Sequence, residues 1–223
     1  MNILRTIRKW VTRSETTTLP GFDFNKLENT LEVKVVFVGD AVTGKSSLMR
    51  ASLQRAPWVE PGGPYASSCE VGVAEVKMPQ GTTRLSLWDA CVDDDFGGRL
   101  RPLTYTKTGI IALVFSVDNL SSLESLEEKW KAEVEYFWPG IPKVVIGCKS
   151  DLRAKNDACV DTQLASLTKR IGARHYVECS AQKYVGIEEL LERVGSMAWE
   201  IHERSQTKQP APADSELQVT IPS

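Results

Sequence analysis

The segment Gly39–Ser46 has the pattern G-x-x-x-x-G-K-S and stands directly after a predicted strand and directly before a predicted helix. In such a turn the backbone N–H groups and the helix amino terminus present partial positive charge, so they surround a phosphate group. Lys45 adds a full charge, and Ser46 adds a hydroxyl oxygen, the kind of ligand that Mg²⁺ prefers. The segment therefore predicts a phosphate-binding loop.

The order of the predicted elements indicates the architecture around this loop. Residues 31–38 begin with alternating polarity and end in a continuous β-branched run, which is typical of a strand buried on both faces of a parallel sheet. The predicted strands are 31–38, Glu70–Met78, Thr83–Trp88, Ile110–Val117, Lys143–Cys148 and Arg174–Glu178, and the predicted helices are Lys45–Leu53, Ser121–Phe137, Asp161–Ile171 and Ile187–Ile201. We predict an α/β fold of the P-loop NTPase type: a mostly parallel six-stranded sheet with helices on both faces and ligand loops at the carboxyl ends of its strands.

Composition and charge narrow the classes of function. Of the 223 residues 42% are hydrophobic, which suits a globular domain. The net charge of -2 provides no overall basic field, so no nucleic-acid partner is expected. Five scattered cysteines without a CxxC pair, and only two histidines, argue against a disulfide framework or a zinc site and favour a reducing compartment.

The two ends of the chain differ from the middle. Residues 1–30 are predicted to be a basic amphipathic extension, because residues 1–13 combine an apolar helical face with four basic side chains. This segment suits peripheral contact with an anionic membrane; a mitochondrial presequence and a partner-binding helix are the alternatives. Residues 31–203 are predicted to form the nucleotide-binding domain and residues 204–223 a disordered tail. The expected location is the cytoplasm or the cytoplasmic face of a membrane, with mitochondria as the alternative.

Three further loops follow predicted strands and carry groups suited to Mg²⁺ and a guanine base. Asp89 ends one strand and can hold a Mg²⁺-bound water. Asp151 can accept both guanine N–H donors while the stem of Lys149 lies over the base. Backbone N–H groups of the segment Glu178–Ala181 can reach a guanine carbonyl. Together and in this order, the loops predict a guanine-nucleotide site.

Longer stretches of the chain match a known pattern. They are Leu85–Asp89, Arg99–Tyr105, Val114–Val117, Lys129–Trp130, Val145–Arg153 and Tyr176–Ala181. Through them the chain resembles the Ras-type small GTPases over about residues 33–201, and within these the Rho branch. The run Cys148–Arg153 is particularly similar to the Rnd subgroup, whose members bind GTP and scarcely hydrolyse it. The resemblance implies GTP or GDP with Mg²⁺ as ligands, and protein effectors and regulators of unknown identity as partners.

The resemblance also assigns roles to single positions. Counting back from Asp89 places Ser67 at the family's Mg²⁺-binding threonine, and Trp58 is our choice for the aromatic residue at the guanine edge. Cys148 replaces the family's base-reading asparagine, so selectivity for guanine rests chiefly on Asp151. The predicted nucleotide-binding residues are Ala41, Val42, Thr43, Gly44, Lys45, Ser46, Ser47, Trp58, Cys148, Lys149, Asp151, Leu152, Cys179, Ser180 and Ala181, and the predicted metal ligands are Ser46, Ser67 and Asp89.

Several departures from the family concern hydrolysis. Ala41 stands where the family has glycine and Val42 where it has glycine or alanine, and their side chains crowd the space for an attacking water or an arginine finger. Val92 replaces a glycine whose N–H meets the γ-phosphate, and Asp93 replaces the glutamine that orients the water. No catalytic residue is therefore predicted. We expect a GTP-binding signalling protein with little or no hydrolysis.

Two other functions remain open at this stage. One is a cycling GTPase that depends on an activator acting in trans, and the other is a scaffold that binds no nucleotide. Two features of the Rho branch are also missing: the 26 residues between Asp151 and Glu178 are too few for its insert helix, and Val219–Ser223 has no cysteine for prenylation. Asn2 likewise leaves no site for N-myristoylation.

Overall fold

The computed structural model describes residues 29–53, 71–90, 105–153 and 158–207. Trp58, Ser67, Val92 and Asp93, together with the segments 1–28 and 208–223, lie outside the described residues. The strands are β1 (Thr30–Val38), β2 (Val71–Met78), β3 (Gly81–Asp89), β4 (Ile110–Ser116), β5 (Lys143–Cys148) and β6 (His175–Cys179). The helices are α1 (Lys45–Ser52), α2 (Leu120–Ser125), α3 (Lys131–Phe137), α4 (Ala158–Ile171) and α5 (Ile187–Thr207).

The six strands form one sheet in the order β2-β3-β1-β4-β5-β6. Only the edge strand β2 runs antiparallel to its neighbour; the pairs β1–β3, β1–β4, β4–β5 and β5–β6 are parallel. The predicted mostly parallel six-stranded sheet is thus confirmed. Because parallel strands end at one edge of the sheet, the carboxyl ends of β1, β3, β4, β5 and β6 lie at the same edge.

Apolar clusters cover both faces of the sheet. One face packs against α1 and α5 through a cluster that includes Phe37, Leu48, Leu87 and Met197. The other packs against α2, α3 and α4 through a cluster that includes Leu113. Every residue of β4 and β5 is buried, which explains why these strands have continuous apolar runs in the sequence.

A π-helical turn, Leu126–Trp130, interrupts the helix that was predicted over Ser121–Phe137. It joins α2 to α3, so residues 120–137 form one helical segment with a change of phase in the middle. Such a turn inserts one residue without changing the composition of the helix. The apolar spacing of the sequence therefore predicted the helix but not the interruption.

Two helix boundaries differ from the prediction by three residues or more. α4 begins at Ala158 rather than at Asp161, and α5 continues to Thr207 instead of ending at Ile201. The predicted start of the tail at residue 204 was therefore too early. In the extension of α5 residues 203–206 are exposed, and Ser205 Oγ donates to the carbonyl oxygen of Ile201 at 2.8 Å. None of the described helices is both long and apolar enough to cross a membrane.

Candidate functional site

The phosphate loop, residues 39–46, connects the carboxyl end of β1 to α1. Gly39 has a φ of 155°, and a Cβ at this position would come within 2.0 Å of the carbonyl oxygen of Val114. Gly44 has a φ of 102°, and a Cβ there would lie 3.2 Å from the Cβ of Cys148. Both ends of the loop therefore require glycine, one to pass β4 and the other to turn into α1 against β5.

The loop brings positive charge to the amino end of α1. No side chain caps the first turn of this helix, and no acidic residue lies in it. Lys45 is only 6% exposed, and its Nζ donates to the carbonyl oxygen of Asp40 at 2.5 Å. Thr43 Oγ1 donates to the same carbonyl at 2.9 Å. An ammonium group and a helix amino terminus thus lie together, an arrangement that favours a phosphate.

The predicted metal ligands Ser46 and Asp89 are in direct contact. Ser46 Oγ, in the first turn of α1, donates a hydrogen bond to Oδ2 of Asp89, which is buried at the end of β3. Two adjacent oxygen atoms beside the phosphate loop fit the preference of Mg²⁺ for oxygen ligands. Ser67, the third predicted ligand, lies outside the described residues.

On the other side of the site, a hydrogen bond orients the carboxylate of Asp151. Ser180 Oγ, in the loop after β6, donates to Asp151 Oδ1 at 2.5 Å. Ser180 is buried, and its Oγ also accepts from the backbone N–H of Lys183 at 3.0 Å. An ion pair between Arg153 and Glu178 joins the loop after β5 to the end of β6. These contacts orient the Asp151 carboxylate at the edge of the sheet.

Lys149 precedes Asp151 and has a left-handed backbone with φ 60°. Its Nζ lies 3.5 Å from Oδ2 of Asp118, which follows β4. Burial raises the pKa of Asp118, but a hydrogen bond from Ser116 and the charge of Lys149 outweigh burial and keep the pKa below its usual value. Asp118 was not predicted, although its place directly after a buried strand is the same signal that singled out Asp89.

A cavity of about 510 Å³ lies between the phosphate loop and the loops after β5 and β6. Its lining consists of Val42, Gly44, Lys45, Ser46, Ser47, Cys148, Lys149, Asp151, Leu152, Ala181 and Gln182. Gln182 was not predicted; it follows Ala181 in the loop after β6. The volume lies within the range of ligand pockets, about 300–1,000 Å³. The structure thus brings the two halves of the predicted site together around one space.

Among the described residues, four of the predicted nucleotide-binding residues and the predicted metal ligand Asp89 do not line this cavity. Thr43 and Ser180 are buried, and their hydroxyl groups donate to Asp40 and to Asp151, respectively. Ala41 is exposed. Cys179 is buried, its Sγ donates to the carbonyl oxygen of Gly186 at 3.3 Å, and burial raises the pKa of its thiol. Burial also raises the pKa of Cys148 to about 12, so this lining side chain stays a neutral thiol.

Val42 is the most unusual residue of the phosphate loop. It has a left-handed backbone with φ 61°, and its side chain is 86% exposed. A β-branched residue is rarely found in this conformation, because its Cβ approaches the carbonyl oxygen. Since an exposed side chain gains little from packing, nothing at this position offsets the backbone strain.

Replacing Val42 with glycine is expected to raise the free energy of unfolding by about 1 kcal/mol, since relief of a strain of roughly 1–2 kcal/mol exceeds the added flexibility of the unfolded chain. For a domain of this size the melting temperature should increase by about 3 °C. Val73→Gly is the matched control, because Val73 is also exposed but lies in extended strand β2, where glycine destabilises. A lower melting temperature for Val42→Gly in differential scanning calorimetry would contradict the strain argument.

Comparison with known proteins agrees with this geometry. Residues 34–199 match the model of the Ras family. The chain is 33% identical over 189 residues to the GTP-binding protein RHO1 of Candida albicans, covering 80% of this chain and 93% of that protein. It is 36% identical over 177 residues to the GTP-binding protein RHO1 of Saccharomyces cerevisiae, covering 74% of this chain and 82% of that protein. The chain therefore belongs to the Ras family of small GTP-binding proteins, and within that family to the Rho branch.

Proposed function

We propose that this Rho-branch protein holds GTP and Mg²⁺ and hydrolyses GTP very slowly or not at all. One observation carries the proposal. The groups suited to binding are assembled around the cavity, while Val42, a bulky residue with a left-handed backbone, lines the same cavity from the phosphate loop. We infer that the substitutions at Ala41, Val42 and Asp93 affect hydrolysis more than binding, whereas Cys148 is a substitution in the base-binding half.

The binding half fits a guanine nucleotide with Mg²⁺. The Lys45 ammonium and the amino end of α1 are suited to phosphates, and the hydroxyl of Ser46 beside the carboxylate of Asp89 supplies adjacent oxygen ligands. Mg²⁺ at this position would offset the negative charge of the phosphates. Asp151, held by Ser180, presents a carboxylate to the N–H donors of a guanine base.

The hydrolytic half departs from what phosphoryl transfer needs. Catalysis of this reaction depends on positioning an attacking water and on stabilising charge at the γ-phosphate. Ala41 and Val42 add side chains to the loop where the family has glycine or alanine. In the sequence Asp93 replaces the glutamine that orients water, and a carboxylate repels a phosphate that already carries negative charge. We therefore expect hydrolysis to be impaired more than binding.

The proposal is tested by measuring which nucleotide the purified protein carries and how fast it is hydrolysed. We expect chromatography of the denatured protein to release mainly GTP. Single-turnover hydrolysis should be at least about tenfold slower than the intrinsic rate of Ras, ~4 × 10⁻⁴ s⁻¹. Bound GDP with rapid turnover would identify a cycling GTPase instead. Protein that is empty, and whose melting temperature GTP with Mg²⁺ does not raise, would indicate a scaffold.

A variant that restores the family residues is the matched comparison. Ala41→Gly, Val42→Gly, Val92→Gly and Asp93→Gln together remove the added side chains and supply a water-orienting amide. We expect this combined variant to hydrolyse GTP at least about tenfold faster than the parent while its affinity for GTP changes little. An unchanged hydrolysis rate in the combined variant would contradict the assignment of the defect to these positions.

A further inference from the structure

A hydrogen bond connects the π-helical turn to the phosphate loop. The indole N–H of Trp130 donates to Oδ1 of Asp40 at 2.8 Å, across 90 residues of sequence. Trp130 is 1% exposed and belongs to the apolar cluster that also contains Val38, the last residue of β1. The ring is therefore held by packing, and its single donor is aimed at a carboxylate of the loop.

The π-helical turn ends at the residue that faces the loop. Trp130 is the last residue of this turn, and α3 begins directly after it. A π-turn adds one residue, which rotates the following side chains relative to an uninterrupted α-helix, and such turns occur frequently at functional sites. The interruption thus coincides with the side chain that reaches the phosphate loop.

Asp40 transmits this contact to the groups that face the nucleotide. While its carboxylate accepts from Trp130, its backbone carbonyl oxygen accepts from Lys45 Nζ at 2.5 Å and from Thr43 Oγ1 at 2.9 Å. The side chain of Asp40 is therefore hydrogen-bonded to the helical segment, and its backbone carbonyl is hydrogen-bonded to the interior of the phosphate loop. A change in the orientation of Asp40 would move the acceptor that holds the Lys45 ammonium.

We propose that Trp130 is a positioning residue for nucleotide binding. Through Asp40 it holds the phosphate loop in the conformation that receives the phosphates, and it touches no ligand itself. The proposal deepens the nucleotide-holding function proposed above and rests on it. It predicts that loss of the indole N–H accelerates release of nucleotide without loosening the fold.

Trp130→Phe removes the N–H and keeps an aromatic ring in the core. We expect release of a fluorescent GDP or GTP analogue, measured by stopped-flow in Mg²⁺, to become about tenfold faster, the size of a hydrogen bond to a charged group. In an Asp40→Ala background the same substitution should have no further effect, because the acceptor is already absent. Equal acceleration in both backgrounds would overturn the proposal.

Trp199→Phe is the matched control. Trp199 also donates its indole N–H to a buried acceptor, Thr83 Oγ1 at 2.9 Å, but it lies on α5, which packs against the other face of the sheet. We expect its release rate to stay within about twofold of the parent rate. The same acceleration from Trp199→Phe as from Trp130→Phe would show a general loss of packing and would overturn the proposal.

Amide hydrogen exchange separates a failure of this proposal from a failure of the proposed function. In protein stripped of nucleotide with EDTA, Trp130→Phe should accelerate exchange in residues 40–46 and leave α5 unchanged. Hydrogen exchange tests the role of Trp130 even if the parent protein holds no nucleotide. A parent protein without nucleotide would reject the proposed function but not the role of Trp130. Unchanged exchange in the loop would overturn the positioning role.

Discussion

Replacing Lys45 with methionine is expected to weaken GTP binding by about 100-fold or more. Lys45 is 6% exposed, and its ammonium group lies inside the phosphate loop, where it donates to the carbonyl oxygen of Asp40. A phosphate offers this group charge-assisted hydrogen bonds, each worth about 1.5–3 kcal/mol, and methionine keeps only the stem. Two such bonds correspond to a change of 100-fold or more in the dissociation constant, measured by isothermal titration with GTP and Mg²⁺.

The fold should tolerate this substitution, so the loss can be assigned to the charge. Removing a buried ammonium group relieves a desolvation penalty, and the melting temperature in EDTA should not fall. Lys77→Met, on the exposed side of edge strand β2, is the control and should bind GTP like the parent. If Lys45→Met retained the parent affinity, the phosphate would have to be bound elsewhere, and the assignment of the site would be wrong.

The sequence predicted those elements whose signal is local. β4 and β5 are buried on both faces, and their continuous apolar runs indicate this burial in the sequence. The phosphate loop was predicted from its G-x-x-x-x-G-K-S pattern, and the structure shows that close approaches to Val114 and Cys148 require the two glycines. The extra turn of α5 was missed because it is solvent-exposed and has no apolar periodicity to mark it.

The contacts that assemble the site could not be predicted in the same way. Asp151 and Ser180 were each predicted from a strand end, but their hydrogen bond joins residues 29 apart, and only the β5–β6 pairing brings them together. The bond between Trp130 and Asp40 depends on a π-helical turn that the apolar spacing of the helix does not reveal. Sequence patterns thus indicate which groups reach the edge of the sheet, whereas tertiary packing decides which of them are bonded.

Replacing Asp151 with asparagine is expected to change the preferred base from guanine to xanthine. A carboxylate accepts from both N–H donors on the edge of guanine, whereas an amide offers one acceptor and one donor. The amide N–H₂ would face the amino group of guanine, but it can donate to the oxygen that replaces this group in xanthine. A site that leaves a polar group unpaired discriminates strongly, so we expect GTP to bind about 100-fold more weakly and to bind less tightly than xanthosine triphosphate. Titration with both nucleotides measures the change.

Ser180→Ala tests the orientation of the Asp151 carboxylate, whereas Asp151→Asn tests its chemical identity. Ser180 Oγ donates to Asp151 Oδ1 at 2.5 Å, and an asparagine at position 151 can still accept this bond through its own oxygen, so Asp151→Asn should leave the two loops joined. Ser180→Ala removes the bond but keeps the carboxylate, and it should weaken GTP binding by about tenfold without changing the preference for guanine. If Asp151→Asn also kept that preference, another group would have to read the base. Cys148 is poorly suited to do so, because a neutral thiol with a pKa raised to about 12 is a weak hydrogen-bonding partner.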